Sequence, residues 1–338
     1  MGLGIGILDF VPRDKNTSVL ESFEQSIALA KLADEKGFDR YWLTEHHSTP
    51  AVLSSTPQLL LALYGAETSQ IKLGTGAVVM NNSTPYQIAE NFMVLEAMYP
   101  DRVEGGIGHS MPKEVTHQEH LGMKINRGLN YEKSLTQLAG LLYNDLSVDD
   151  EMHGLRVMPA YFGGTVPLFT MMGSRRNAKF VAQQGLGMVF GLFFSGDLEE
   201  CIETIKIYRE NFVPSKGLKE PAVQIALYAV TSKKRNWKEP LNYALNDWID
   251  AFLDDKRAYL ELMDVGEARD FITMHSEVIE EDPHAGRKVY GTPKQVEMQL
   301  RRLKELTNTD GFLIANQLSG FANRRALIEI LSEVNINV

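Results

Sequence analysis

The sequence predicts an α/β fold, a (β/α)8 TIM barrel with a late lid-like insertion, on three observations. Short β-rich runs alternate along the whole chain with stretches of about 10 to 20 residues whose apolar positions recur at helical spacing. Eight such units repeat, which is what the barrel requires. The length of 338 residues exceeds the about 250 that the barrel needs, and the surplus gathers in a few places.

In chain order the strands are expected at Leu3 to Leu8, Arg40 to Glu45, Lys72 to Val79, Arg102 to Ile107, Pro167 to Met172, Met188 to Phe193, Val223 to Ala229 and Gly311 to Ala315. Helices are expected at Val19 to Lys36, Pro57 to Thr68, Pro85 to Met98, Asn126 to Asn144 and Arg175 to Gln184, then at Asp197 to Phe212, Glu239 to Met263, Thr292 to Leu306 and Arg324 to Val334. Thr56-Pro57 and Thr292-Pro293 read as N-caps followed by an N1 proline. Lys36-Gly37 and Gln184-Gly185 read as helix ends. The surplus falls at Ser110 to Lys124, at Gly154 to Thr165 and, largest, at residues 263–289. That last stretch is polar, carries Pro283 and Gly286, and reads either as a mobile lid or as a surface excursion without function, within one domain spanning residues 1–338.

Composition excludes several classes. Lys and Arg total 34 against 44 Asp and Glu, a net charge of −10, and the basic clusters are short, so neither nucleic acid nor an anionic membrane is an expected partner. The longest apolar run is Leu59-Leu60-Leu61-Ala62-Leu63, well short of the roughly 18 residues of a membrane span. There is no basic leader, and the single cysteine, Cys201, reads as a buried apolar residue, so a cytoplasmic location is expected. The stretch Leu59 to Ala66 is uncharged, so both of its sides should be covered, one by a second copy in a homodimer.

In a barrel, catalytic groups gather at the C-terminal ends of strands. Those ends read Asp9-Phe10, Glu45-His46-His47, Val79-Met80-Asn81-Asn82, Gly108-His109-Ser110, Gly173-Ser174 and Asn316-Gln317. Glu45 and His46 point to opposite faces, and a histidine there suits a general base because its ordinary pKa lies near working pH. His117-Gln118-Glu119-His120 matches neither common zinc motif, so no metal is expected. Gly173-Ser174-Arg175-Arg176-Asn177, between a strand and a helix, reads as a phosphate site or as a plain cap with solvent-facing arginines. The glycines of Gly74-Thr75-Gly76-Ala77 mark either a ligand's close approach or tight packing. Gly108-His109-Ser110-Met111-Pro112 nearly matches the nucleophile elbow, which keeps a serine hydrolase built on Ser110, with Asp264 and His275 as candidate partners, as an alternative.

Taken together, Gly37 to His47, Ser54-Ser55-Thr56-Pro57, Ile71 to Gly76, Ala89-Glu90-Asn91-Phe92, Leu95 to Arg102, Gly173-Ser174, Gly185-Leu186-Gly187 and Tyr290-Gly291-Thr292-Pro293 resemble, in one order across nearly the whole chain, the bacterial luciferase-like flavin-dependent monooxygenase family. The resemblance implies reduced FMN at the barrel mouth, supplied by a separate flavin reductase. It implies reaction with O2 to a C4a-hydroperoxyflavin that oxygenates a small organic substrate, an aldehyde in the luciferases. No dinucleotide fingerprint is present in this chain, in keeping with a separate reductase. By resemblance His46 is the active-site histidine and Glu45 its neighbour at the flavin. Gly76-Ala77 takes the place of a non-prolyl cis peptide behind the flavin ring. Where the family commonly has an arginine for the FMN phosphate this chain has His109, so the charge is expected from Arg175 and Arg176, with Gly173, Ser174 and Asn177 beside them as further cofactor-binding positions. Where close relatives have a histidine after the third strand this chain has Ser83. A deazaflavin in place of FMN, and a non-catalytic flavin-binding protein on the same barrel, stand as alternatives.

Overall fold

The computed structural model describes residues 4–47, 50–109, 131–160, 165–233, 262, 264–274 and 286–336. Parallel strands close into a barrel in the order β1 (Ile5–Asp9), β2 (Arg40–Leu43), β3 (Lys72–Thr75), β5 (Val103–Gly108), β6 (Leu168–Met172), β7 (Gly187–Gly191), β8 (Val223–Thr231) and β10 (Gly311–Ala315), with β10 paired back to β1. The short β4 (Val78–Val79) continues the course of β3 and pairs β5. The lower half of β8 pairs β10 from Gln224 to Tyr228, while its upper half, Tyr228 to Thr231, carries β9 (Lys288–Gly291). The eight expected strands are all present. Each is buried on both faces, which is why it reads as an apolar run without strict alternation.

Two cores result. Leu8, Phe10, Trp42, Phe169, Val189, Phe193, Ala226, Leu313 and Ala315 fill the barrel. The alternate residues, such as Ile5, Ile7, Tyr41 and Leu73, pack outward against the helices α1 (Val19–Glu35), α2 (Pro57–Glu67), α3 (Pro85–Met98) and those that follow. Inside the barrel Trp42 Nε1 donates to Glu104 at 2.8 Å, and Glu104 is ion-paired with Arg40 at 3.2 Å. A Cβ at Gly74 would lie 2.2 Å from the Trp42 indole, so that glycine is explained by packing.

Caps explain most helix ends. Thr292 and Gln295 form a capping box before the helix Pro293–Thr307, and Thr84 with Gln87 does the same for α3. Gly37, at φ 76°, follows α1, and Gly185, at φ 64°, follows the helix Ala178–Gln183. Thr56 departs from expectation: its hydroxyl makes no cap hydrogen bond, and α2 starts on Pro57 alone. The expected helix Arg175 to Gln184 opens instead as a 3-10 turn over Arg175–Asn177 before the helix Ala178–Gln183. The strand expected to reach Phe193 stops at Gly191, because Leu192–Ser195 coils into a helical turn ended by Gly196 at φ 73°.

Within the expected lid the structure places a helix, Val265–Met274, and part of β9. Residues 275–285, including His275, lie outside the described residues, as do residues 239–261 and 263 of the helix expected from Glu239 to Met263, Ser110 to Lys124 and, with it, the candidate nucleophile Ser110; Leu262, which is described, forms a bridge with Asp14. Asp264, the hydrolase alternative's candidate acid, accepts from the backbone N–H groups of Gly266 and Glu267 at 2.7 and 3.0 Å and so caps that helix. Among the described residues no helix is long and apolar enough to cross a membrane.

Candidate functional site

The C-terminal ends of the strands form the barrel mouth, and its best-built wall begins at β1. Asp9 is buried behind that wall. Its carboxylate accepts from Val11 N at 2.8 Å, from the Tyr41 hydroxyl at 2.6 Å and from the Ser26 hydroxyl, which also bonds Tyr64. Val11 lies at φ 51°, a left-handed conformation rare for a β-branched residue, held by the Asp9 bond and by Leu53 N donating to Val11 O at 3.0 Å. The turn sets Phe10 against the next strand end, where its ring stacks on His46 at 5.2 Å between centroids and 28° between planes.

His46 is partly buried. Its Nδ1 shares a 3.0 Å hydrogen bond with Thr44 Oγ1, and its backbone N–H donates to Ser54 O at 2.9 Å. Burial first, and the neighbouring His47 second, push its pKa from the ordinary 6.5 to about 4 against the opposing pull of Glu45. The ring is therefore neutral at physiological pH.

Glu45 braces the turn beside it. Its carboxylate accepts from Val79 N at 2.9 Å, from Asn82 Nδ2 at 2.6 Å and pairs with His47 at 2.8 Å. These bonds tie the strand end of β2 to the turn after β4 and hold that turn in place. His47 is raised in pKa by the same carboxylate. Beside them the Gly76–Ala77 peptide is cis, the configuration implied by the resemblance. Gly76 N donates to Leu43 O at 2.7 Å, and a Cβ on Gly76 would lie 2.4 Å from Leu8 Cδ1, with Trp42 and Met171 beyond. Any side chain there would collide with the floor of the mouth.

Three strands further round the ring, the expected phosphate residues separate into two groups. Arg175 is committed to Glu200: its backbone N–H and its Nε donate to that carboxylate at 2.7 and 2.8 Å, and its Nη2 closes the ion pair. Its charge is already neutralised. Arg176 has no ion-pair partner among the described residues and lies close enough to His109 that its charge, after burial, lowers the His109 pKa. The His109 ring lies tilted against Tyr131, 4.6 Å between centroids and 54° between planes. The buried Tyr131 hydroxyl faces Thr170, and neither closes a hydrogen bond of ordinary geometry. Ser174 and Asn177 make no cap hydrogen bond, and the helix behind them is one and a half turns long, so the helix dipole adds little here. Gly173 is packed under Phe194, whose Cδ2 would be 3.1 Å from a Cβ.

Sequence reasoning missed the remaining wall. Phe193 meets Phe194 edge-on at 4.4 Å and Tyr228 at 5.8 Å, giving the β7–β8 side an aromatic face. Its signal, two phenylalanines just past a strand-ending glycine, was present in Gly191-Leu192-Phe193-Phe194. Buried polar atoms without partners also cluster in mouth loops: Asn81 Nδ2 and Asn82 Oδ1 after β4, and Asn316 Oδ1 and Gln317 Oε1 after β10. A flat apolar floor, aromatic walls, unsatisfied polar groups at the rim and one unpaired arginine suit a planar heterocycle with an anionic tail, so the residues present fit a flavin.

A family model described as luciferase-like monooxygenase matches residues 1–310. The chain is 28% identical over 332 residues to the uncharacterized protein YceB of Bacillus subtilis (strain 168), covering 98% of each. To a luciferase-like monooxygenase of Escherichia coli (strain K12) it is 28% identical over 234 residues, 68% of this chain and 67% of that one. The crystal structure of apo-MsnO8 superimposes with a TM-score of 0.84 at 23% identity, covering 98% of this chain and 97% of the other. With the match running through all but the last of the barrel strands, the chain belongs to the luciferase-like monooxygenase family.

Proposed function

We propose that this flavin-dependent monooxygenase binds FMN across the mouth, with its phosphate at Arg176 and His109 and its ring over the floor bounded by Gly76, Phe10 and His46. The observation that carries the reading is the sorting of cations: of the two adjacent arginines, Arg175 is neutralised by Glu200 and Arg176 is left unpaired beside His109. When bound, the reduced flavin supplies the electrons that activate O2 for transfer of an oxygen atom to a small organic substrate.

The chain's own residues prepare that chemistry. Phe10, Phe193, Phe194 and Tyr228 exclude water from the reacting face. His46, held by Thr44 at Nδ1, presents a neutral Nε2 that accepts or donates one hydrogen bond without bringing a full charge. Glu45 positions the neighbouring turn through Val79 and Asn82. The helix Val265–Met274, joined to the loop after β1 by the ion pair of Glu267 with Lys15, serves as part of a cover for the mouth. Reduced flavin reaches the site from a separate reductase, a reading supported by the lack of a dinucleotide fingerprint in the sequence.

The test is spectroscopic. Native protein shifts the visible spectrum of FMN on binding, and O2 admitted to the photoreduced complex gives an oxygenated product with an added substrate. His46→Ala keeps FMN affinity within a few-fold and lowers the oxygenation yield; unchanged yield in that variant removes His46 from the reaction. A second copy completes the molecule: α2 exposes Leu59 and Leu63 (70% and 56%), and the adjoining α3 exposes Val94 and Met98, an apolar face that suits a homodimer.

A further inference from the structure

We propose that the carboxamide of Gln317 reads the ligand, pairing at the barrel mouth with an amide edge, an N–H beside a C=O, on the molecule bound there. This rests on the mouth being the ligand site proposed above. Gln317 lies two residues past Ala315, on the parity of Leu313 and Ala315, which fill the barrel interior. The ladder runs on past the strand end, since Asn316 N donates to Leu8 O at 3.1 Å. The neighbouring strands bring Phe10 on one side and Tyr228, in register with Ala315, on the other.

Gln317 is 6% exposed, yet its Oε1 has no hydrogen-bond partner among the described residues. Asn316, 1% exposed, donates from Nδ2 to Arg324 O at 3.1 Å and leaves its Oδ1 equally alone. Two adjacent buried carboxamide oxygens without partners are costly, and natural proteins keep such groups where something else satisfies them. A loose loop does not account for them. Arg324 grips Asp14 at 2.6 and 3.1 Å and donates to Leu318 O at 3.0 Å, while Gly320 N donates to Asp14 at 2.8 Å. The loop after β10 is thereby locked to the loop after β1, and the Gln317 amide is held ready before any ligand arrives.

A carboxamide carries one acceptor beside one donor, and rotation about its terminal bond exchanges them. Its complement is an amide or imide edge. A ketone, an aldehyde or an ester has no N–H and leaves Oε1 as lonely as before. Two molecules at this site offer such an edge: the flavin, through its pyrimidine ring, and an amide-bearing substrate.

Paired probes separate the two sources. Dissociation constants are measured for FMN and N3-methyl-FMN by flavin absorbance, and for phenylacetamide and phenylacetone by calorimetry, on native protein, Gln317→Met and Gln317→Glu. In native protein one pair is discriminated by about tenfold or more in favour of the N–H member, and that pair identifies the source. The discrimination disappears in Gln317→Met, which keeps the volume but offers no acceptor to the N–H, and survives in Gln317→Glu, which keeps the acceptor, while loss of the donor weakens both members of the pair there. Equal binding within both pairs by native protein overturns the assignment and needs no variant, and discrimination that survives Gln317→Met overturns it too. Failure of native protein to bind FMN at all overturns the cofactor reading instead, and the phenylacetamide pair still decides the role of Gln317.

Discussion

An imidazole pressed against Phe10 and bonded to Thr44 is held neutral by its burial. Because its folded pKa is lowered from 6.5 to about 4, protonation favours the unfolded chain. Its contribution to stability is present above pH 6.5 and is lost as the pH falls toward about 4. His47, raised by Glu45, works in the opposite sense. Urea unfolding of native protein and His46→Asn across pH 7 to 4 should show a shallower acid loss in the variant; parallel curves would mean that the ring is solvated. Position 46 was legible in the sequence as a strand-end histidine, but its neutrality was not, because burial depends on Phe10, three dozen residues away, being turned onto it. Arg175 and Arg176 teach the same lesson. Adjacent in sequence and alike in chemistry, they are separated only by Glu200, which the packing of the helix Leu198–Asn211 brings to one of them.

Elements were more readable than their joints. Parallel strands announce themselves as apolar runs because both faces are covered, and Pro85, Pro293 and Gly37 mark helix ends through their own backbone preferences. The missed β9 lacks that signal: its burial alternates, with Tyr290 exposed, since it sits at the outer edge of β8. Caps provide a paired test. Thr292→Ala removes a capping box and should cost about 1 kcal/mol, whereas Thr56→Ala, whose hydroxyl caps nothing, should cost a few tenths. Equal losses in thermal unfolding would contradict the assignment. The β1–α1 turn gives a larger effect. Asp9→Ala strips the buried hydroxyls of Tyr41 and Ser26 and the Val11 N–H of their acceptor, and about 2 to 4 kcal/mol should be lost in urea unfolding. Tyr64→Phe, which leaves the carboxylate fully bonded, should cost less than half of that.

At the scale of the molecule, the closed barrel explains why residues from β1, β2, β6, β8 and β10 converge although they lie far apart in the chain. Closure also leaves α2 with an uncovered apolar side, which the uncharged stretch Leu59 to Ala66 announces in the sequence. Sedimentation should give a dimer for native protein and a monomer for Leu59→Glu combined with Leu63→Glu, with flavin binding retained in the monomer. A native monomer would require another cover for that face.

The proposed FMN site turns on Arg176 as the partner of the phosphate. Affinities for FMN and riboflavin, measured side by side on native protein, Arg176→Ala and Arg175→Ala, test it most directly. Arg176→Ala should weaken FMN by about tenfold to a hundredfold and leave riboflavin nearly unchanged, while Arg175→Ala should treat the two alike. Equal weakening of FMN and riboflavin by Arg176→Ala would contradict the account.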